Sequence, residues 1–177
     1  MKGRVQEGYA KLLDAWVAPS GAGEPVGCLA TSFTFDPAFF EEECLARFLD
    51  IQAAPDEDGP IYLIEREEKL ASATCSALVD ARHSRGPRSL RWDLLPARVP
   101  GGAMHAKVSL LCWQHRVRLI VASANLTADG YRRNQEVFGV LDFHEGSPTP
   151  SQCLVDVIDF LGEVAQYAGD GRSEEHT

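Results

Sequence analysis

The sequence predicts an α/β domain, with a mixed central sheet flanked by helices. Three observations predict it: a strand-like segment followed at once by a capped helix, two apolar β-rich runs separated by three residues, and a closing segment with helical periodicity. Length agrees, since 177 residues form one domain that buries a core without disulfide or metal staples. The 45% apolar and 24% charged fractions are close to globular averages, and no repeat is visible.

Val5, Tyr9, Leu12, Leu13 and Trp16 recur at helical spacing, so a first amphipathic helix ends near Pro19. Val26 to Phe35 reads as a strand. Asp36 then supplies a helix cap and Pro37 a first-turn proline, with Phe39, Phe40, Cys44, Leu45, Phe48 and Leu49 forming the apolar face. After a polar loop from Ala54 to Gly59, Ile61 to Ile64 predicts a short buried strand. Arg82 to Gly102 reads as loop, with Leu90 to Leu95 a short strand inside it. Met104 to Trp113 and Val117 to Ser123 are strong strand candidates around Gln114-His115-Arg116. Thr127 to Tyr131 predicts a turn or short helix, Glu136 to Phe143 a strand. Leu154, Val157, Ile158, Leu161 and Val164 predict a helix from near Ser151. One domain over 1–167 is expected, with 168–177 a polar tail or truncated linker.

The opening residues show no signal peptide, and no apolar run is long enough to span a bilayer, so a soluble cytoplasmic protein without membrane contact is expected. Five scattered cysteines form no C-x-x-C pair and read as small buried apolar residues; neither metal nor cofactor is implied. The net charge is −9, yet Arg82 to Arg133 holds ten basic residues against Asp93 and Asp129. A basic middle in an acidic chain can offer a phosphate ligand a local positive surface.

His105 and Lys107, two apart in an expected strand, share a face. Histidine can attack phosphorus and lysine can neutralise a phosphate oxygen. A hairpin turning on His115 would set His105 opposite Asn125 and Lys107 opposite Ser123, gathering four polar side chains at its open end. A bulge would shift this register.

The segments H-A-K-V-S-L-L, A-S-A-N-L-T-A-D-G-Y and N-Q-E-V resemble the H-x-K, G-S-x-N and E signature of the phospholipase D superfamily. The L-I-V-A-S-A-N-L continuation and the upstream T-S-F-T-F-D-P-A-F-F resemble its tyrosyl-DNA phosphodiesterase-like branch, in the amino-terminal half. The resemblance implies a phospholipase D-type layered fold, with His105 as nucleophile or equivalent general acid. Lys107 and Asn125 would hold phosphate oxygens, Ser123 would support them, and Glu136 would hydrogen-bond to the histidine. Two positions depart from the pattern: Cys112 stands where the family commonly has an acidic residue, and Ala122 where it has glycine. Arg85, Arg132 and Arg133 are further candidate phosphate contacts. His83, two residues before Arg85, reads as surface loop.

The superfamily mechanism uses two such motifs, and this sequence has one. A second must come from a homodimer partner or from a missing carboxy-terminal half. The leading expectation is a metal-independent phosphodiesterase on nucleic acid, DNA above all, as nuclease or in removing adducts from DNA ends. A non-catalytic phosphate- or nucleic-acid-binding module and a phospholipid phosphodiesterase are the alternatives.

Overall fold

A computed structural model describes residues 11–86 and 89–168. Val5 and Tyr9 of the expected first helix, Arg88, and residues 169–177 of the tail lie outside them. Six strands form one mixed sheet: β1 (Pro25–Ser32), β2 (Thr74–Asp80), β3 (Asp93–Ala97), β4 (Val108–Trp113), β5 (Arg116–Ala122) and β6 (Phe138–Phe143). Their spatial order is β3-β2-β1-β4-β5-β6. β1 runs parallel to β2, and β2 to β3; β4, β5 and β6 continue antiparallel from β1.

Alternation along the strands divides the core in two. Cys28, Ala30, Cys75, Ala77, Val79, Leu111 and Ile120 face one layer, with Trp16, Phe40, Leu45, Phe48 and Leu70 packed on them. These come from the 3-10 turn Leu12–Trp16, a helical run from Pro37 to Phe48 and the helix Pro60–Ser72. Trp16, Phe40 and Phe48 are fully buried, each contributing about 1.5–3 kcal/mol by leaving water. On the other face Leu29, Val108, Leu110, Leu119 and Phe143 meet Leu154, Val157 and Leu161 of the helix Ser151–Gln166. The domain is therefore three-layered.

Asp36 caps the helical run as expected, accepting from the N–H groups of Ala38 and Phe39. The run is less regular than its periodicity suggests, because Phe40–Leu45 widens into π spacing between two α turns. Ile61 to Ile64 is not a strand. It lies in the helix Pro60–Ser72, where Ile61 and Ile64 are exposed. Pro60 starts that helix, good helix formers follow, and the Glu65 carboxylate binds the N–H groups of Gln52 and Ala53. The second strand comes instead from Thr74–Asp80. The segment Pro55–Asp58, expected as loop, is a single helical turn. Cys28, Cys44 and Cys75 are buried thiols, and Cys112 and Cys153 half-buried ones.

The hairpin register is one residue from that expected. Gln114 and His115 form a two-residue turn, their N–H groups held by Glu24 O and Ala22 O, so Arg116 faces Trp113. Lys107 O accepts from Ala122 N at 3.0 Å, which sets Lys107 opposite Ala122 rather than Ser123. β4 begins only at Val108, so His105 and Lys107 lie on the segment entering it.

Candidate active site at one rim of the sheet

Strand directions bring the chemistry together. β1, β2, β3 and β5 end at the same rim where β4 and β6 begin. Phe33 follows β1, Arg82 and His83 follow β2, Arg98 follows β3, and Ser123 and Asn125 follow β5. His105 and Lys107 precede β4, and Glu136 precedes β6. Ligands commonly bind at such carboxyl ends of α/β strands.

Lys107 Nζ lies 3.3 Å from His105 Nδ1, 3.4 Å from Nε2 and 3.2 Å from His105 O. The shared face expected of this pair is therefore realised, although without a regular strand. Partial burial lowers the Lys107 pKa, against the opposing pull of the Glu136 carboxylate nearby. His105 itself is exposed.

Ser123 donates its hydroxyl to Glu136 Oε2 and accepts from Val137 N at 3.0 Å. Asn134 Nδ2 donates to the other Glu136 oxygen at 3.4 Å. Glu136 thus supports Ser123 and acts on Lys107 through its charge, and no hydrogen bond joins it to His105. Asn125 Oδ1 accepts from Phe33 N at 3.2 Å, Thr34 N at 3.3 Å and Ser32 Oγ at 3.4 Å. With Oδ1 turned to the end of β1, Nδ2 is the group left to donate to a ligand oxygen.

The cations of the basic window are mostly engaged elsewhere. Arg132 pairs with Glu43 at 2.5 Å, Arg133 with Asp129 at 2.9 Å and Arg91 with Glu67 at 2.5 Å. Arg116 and Arg118 share Asp142. Among the described residues, Arg85 and Arg98 are the arginines without a carboxylate partner. The structure thus leaves Arg85 free, on the loop that carries His83, and ties Arg132 and Arg133 into ion pairs.

Several organising residues escaped the sequence reading. Thr31 Oγ1 accepts from Val108 N at 2.8 Å, holding the start of β4 to β1. Ser32 Oγ accepts from Leu126 N at 2.9 Å. Asp80 takes Arg82 in two contacts of 2.7 and 2.9 Å and accepts from Met104 N at 2.9 Å. These hydrogen bonds hold its carboxyl down to about 2. The Phe33 ring stands 4.8 Å from that of His105 and 4.5 Å from that of His83, with the Arg82 guanidinium 5.6 Å over it. The signal for them is a polar residue closing an apolar run, as in L-A-T-S and L-V-D.

A cavity of about 600 Å³ beside Trp92 sets Glu41, Glu42 and Glu67 against Arg66 and Arg91 and contains none of these rim residues. Among the described residues no group of three His, Cys, Asp or Glu side chains is placed to hold a metal ion, and no helix is long and apolar enough to cross a membrane.

No family model matches the sequence, and neither does any curated protein. Solved structures do match. One crystal structure of a yeast tyrosyl-DNA phosphodiesterase mutant aligns over 88% of this chain and 36% of its own, at 11% identity and a TM-score of 0.51. Another mutant of that enzyme aligns over 79% and 31%, at 11% identity and a TM-score of 0.50. Nuc from Salmonella typhimurium, a phospholipase D family member, aligns over 88% and 84% at 14% identity and a TM-score of 0.49. The chain thus spans about a third of the tyrosyl-DNA phosphodiesterase. With its mixed six-stranded sheet between helical layers, it has the phospholipase D superfamily fold.

Proposed function

We propose that this chain is a phosphodiesterase on nucleic acid, DNA above all, and supplies one His-Lys-Asn half-site that works through a covalent phosphohistidine. The carrying observation is the placement of Lys107 Nζ against both ring nitrogens of His105 at the open rim. A phosphate oxygen that draws this ammonium onto itself frees a ring nitrogen beside the phosphorus. That nitrogen attacks, the phosphorus–oxygen bond to the leaving group breaks, and the phosphoryl group is held on His105. Lys107 and Asn125 Nδ2 offset the negative charge on the oxygens in flight, and Ser123, fixed by Glu136, backs them. Arg85, which has no carboxylate partner among the described residues, is available to a neighbouring phosphate, with Arg132 and Arg133 available only at the expense of their ion pairs.

The leaving oxygen needs a proton, and water must later be activated to release the phosphoryl group. A second histidine set does both, from a second copy of the chain or from a carboxy-terminal half of a longer polypeptide. Labelled DNA and an aryl phosphodiester, incubated in EDTA with the chain and with His105→Ala, test the reading. Cleavage by the first and none by the second is expected. Activity that disappears in EDTA, or survives the substitution, sinks it. Salt-sensitive binding without cleavage, with the chain dimeric in solution, assigns it instead to a non-catalytic phosphate-binding module, a reading favoured by the single His-Lys pair.

A further inference from the structure

Arg98, one of two arginines without a carboxylate partner among the described residues, adjoins a groove lined by two exposed aromatic rings. Its backbone N–H donates to Tyr167 O at 3.0 Å, lacing the end of β3 to the end of the Ser151–Gln166 helix. Tyr167 is 39% exposed, and Phe160 on that helix is 37% exposed. With Val99, Met104 and Ala106 these rings line an almost wholly apolar groove of about 300 Å³, with His105 also in its wall. Val99 also borders a second groove of about 280 Å³, lined by Arg98 and Arg82. Asp80 lies in that second groove too, but its carboxylate is taken up by Arg82 and Met104 N. On this side of the histidine an aromatic, apolar groove therefore adjoins a cationic one across Val99.

That sequence of surfaces matches the alternation of a nucleic-acid strand. A flat base stacks on aromatic rings and needs no specific polar partner, and a guanidinium takes the next phosphate. A phospholipid with its phosphate at His105 would fill the apolar groove with an acyl chain and leave Arg98 facing nothing. A base still paired in a duplex cannot reach the rings. We propose that this track binds single-stranded nucleic acid beside the scissile phosphate, with one base against Phe160 and Tyr167 and the adjoining phosphate on Arg98. This rests on the phosphodiesterase reading only in placing the scissile phosphate at His105.

Fluorescence anisotropy on the full chain tests it, with a labelled single-stranded oligodeoxynucleotide, the same strand made abasic, and its duplex. The abasic strand binds about tenfold more weakly, in line with the worth of one stacked base. The duplex also binds more weakly than the single strand. Tyr167→Ala abolishes the difference between the normal and abasic strands, whereas Tyr167→Phe, which keeps the ring, preserves it. Phe160→Ala repeats the Tyr167→Ala result, and circular dichroism melting checks that each variant folds. Arg98→Gln weakens both strands alike.

Equal affinity for normal and abasic strands overturns the proposal, as does a duplex preference. Binding to phosphatidylglycerol vesicles that Tyr167→Ala abolishes, with no binding to oligonucleotides, overturns it in favour of a lipid. The two readings fail separately. Base-dependent binding without hydrolysis rejects only the phosphodiesterase, and hydrolysis without base dependence rejects only this subsite.

Discussion

Asp80 Oδ2 accepts the backbone N–H of Met104 at 2.9 Å, which joins the end of β2 to the residue immediately before His105. The same carboxylate grips Arg82, so one buried group sets both the histidine and the loop that carries His83.

The hydrogen bonds from Arg82, followed by the Arg82 and Met104 N–H groups, hold the Asp80 carboxyl at about 2, below its ordinary 3.8. A depressed carboxyl stabilises the fold fully above its unfolded pKa and loses that contribution as pH falls through the folded one. Asp80 therefore contributes about 2 kcal/mol at pH 7, and the contribution disappears between about pH 4 and pH 2. Urea unfolding of Asp80→Asn should show a lower midpoint at pH 7 and a flatter dependence on acid than the parent.

On the proposed function Asn125 has two jobs that substitution can separate. Asn125→Asp keeps an oxygen for the N–H groups of Phe33 and Thr34 but places a negative charge where phosphate would sit. Its melting temperature should stay within a few degrees of the parent while inorganic phosphate binding, followed by calorimetry, is lost. Asn125→Ala removes the acceptor as well and should cost about 1–3 kcal/mol of stability.

Lys107 is held below its ordinary pKa by burial. A cation in that position is less stable folded than unfolded at neutral pH, and the deficit disappears as pH rises past its unfolded value. Lys107→Met should therefore melt no lower than the parent at pH 7 and yet lose phosphate binding. In the parent, phosphate affinity should decline on the alkaline side before the pH at which an ordinary lysine discharges.

A Cβ on Gly130 would lie 2.4 Å from Asn125 O and 3.0 Å from Asn125 N, both backbone atoms without freedom to swing away. Gly130→Ala should then destabilise by about 1–3 kcal/mol. Because the strain falls on Asn125, phosphate affinity should drop along with the melting temperature.

His105, Lys107, Ser123, Asn125 and Glu136 were legible because their types and spacing carry chemistry, and they do meet at one rim. The one-residue error in register came from taking the turn as three residues. What shortens it is the docking of Gln114 and His115 on Ala22 and Glu24, about ninety residues away in the chain. Ile61 to Ile64 misled for a different reason: an apolar run of four fits a strand or an exposed helical turn equally well, and only Pro60 and the acidic stretch after it decide. Asp80, Phe33 and Thr31 were silent because each acts through a partner from another strand. Charge was the weakest guide, since six of the window's arginines are spoken for by carboxylates that the sequence places anywhere from two to 89 residues away.

The Gln114–His115 turn sits at the opposite end of the sheet from every residue assigned a role. Both of its side chains are exposed, and the turn is pinned by its two backbone N–H groups and by the Gln114 side-chain oxygen, which accepts from Glu24 N at 3.3 Å, while no hydrogen bond to the His115 ring is among these. A dye or surface tether placed on His115 would thus be insulated from the rim by the whole length of β4 and β5. It offers a handle for immobilising or watching the protein one molecule at a time while its working edge stays open.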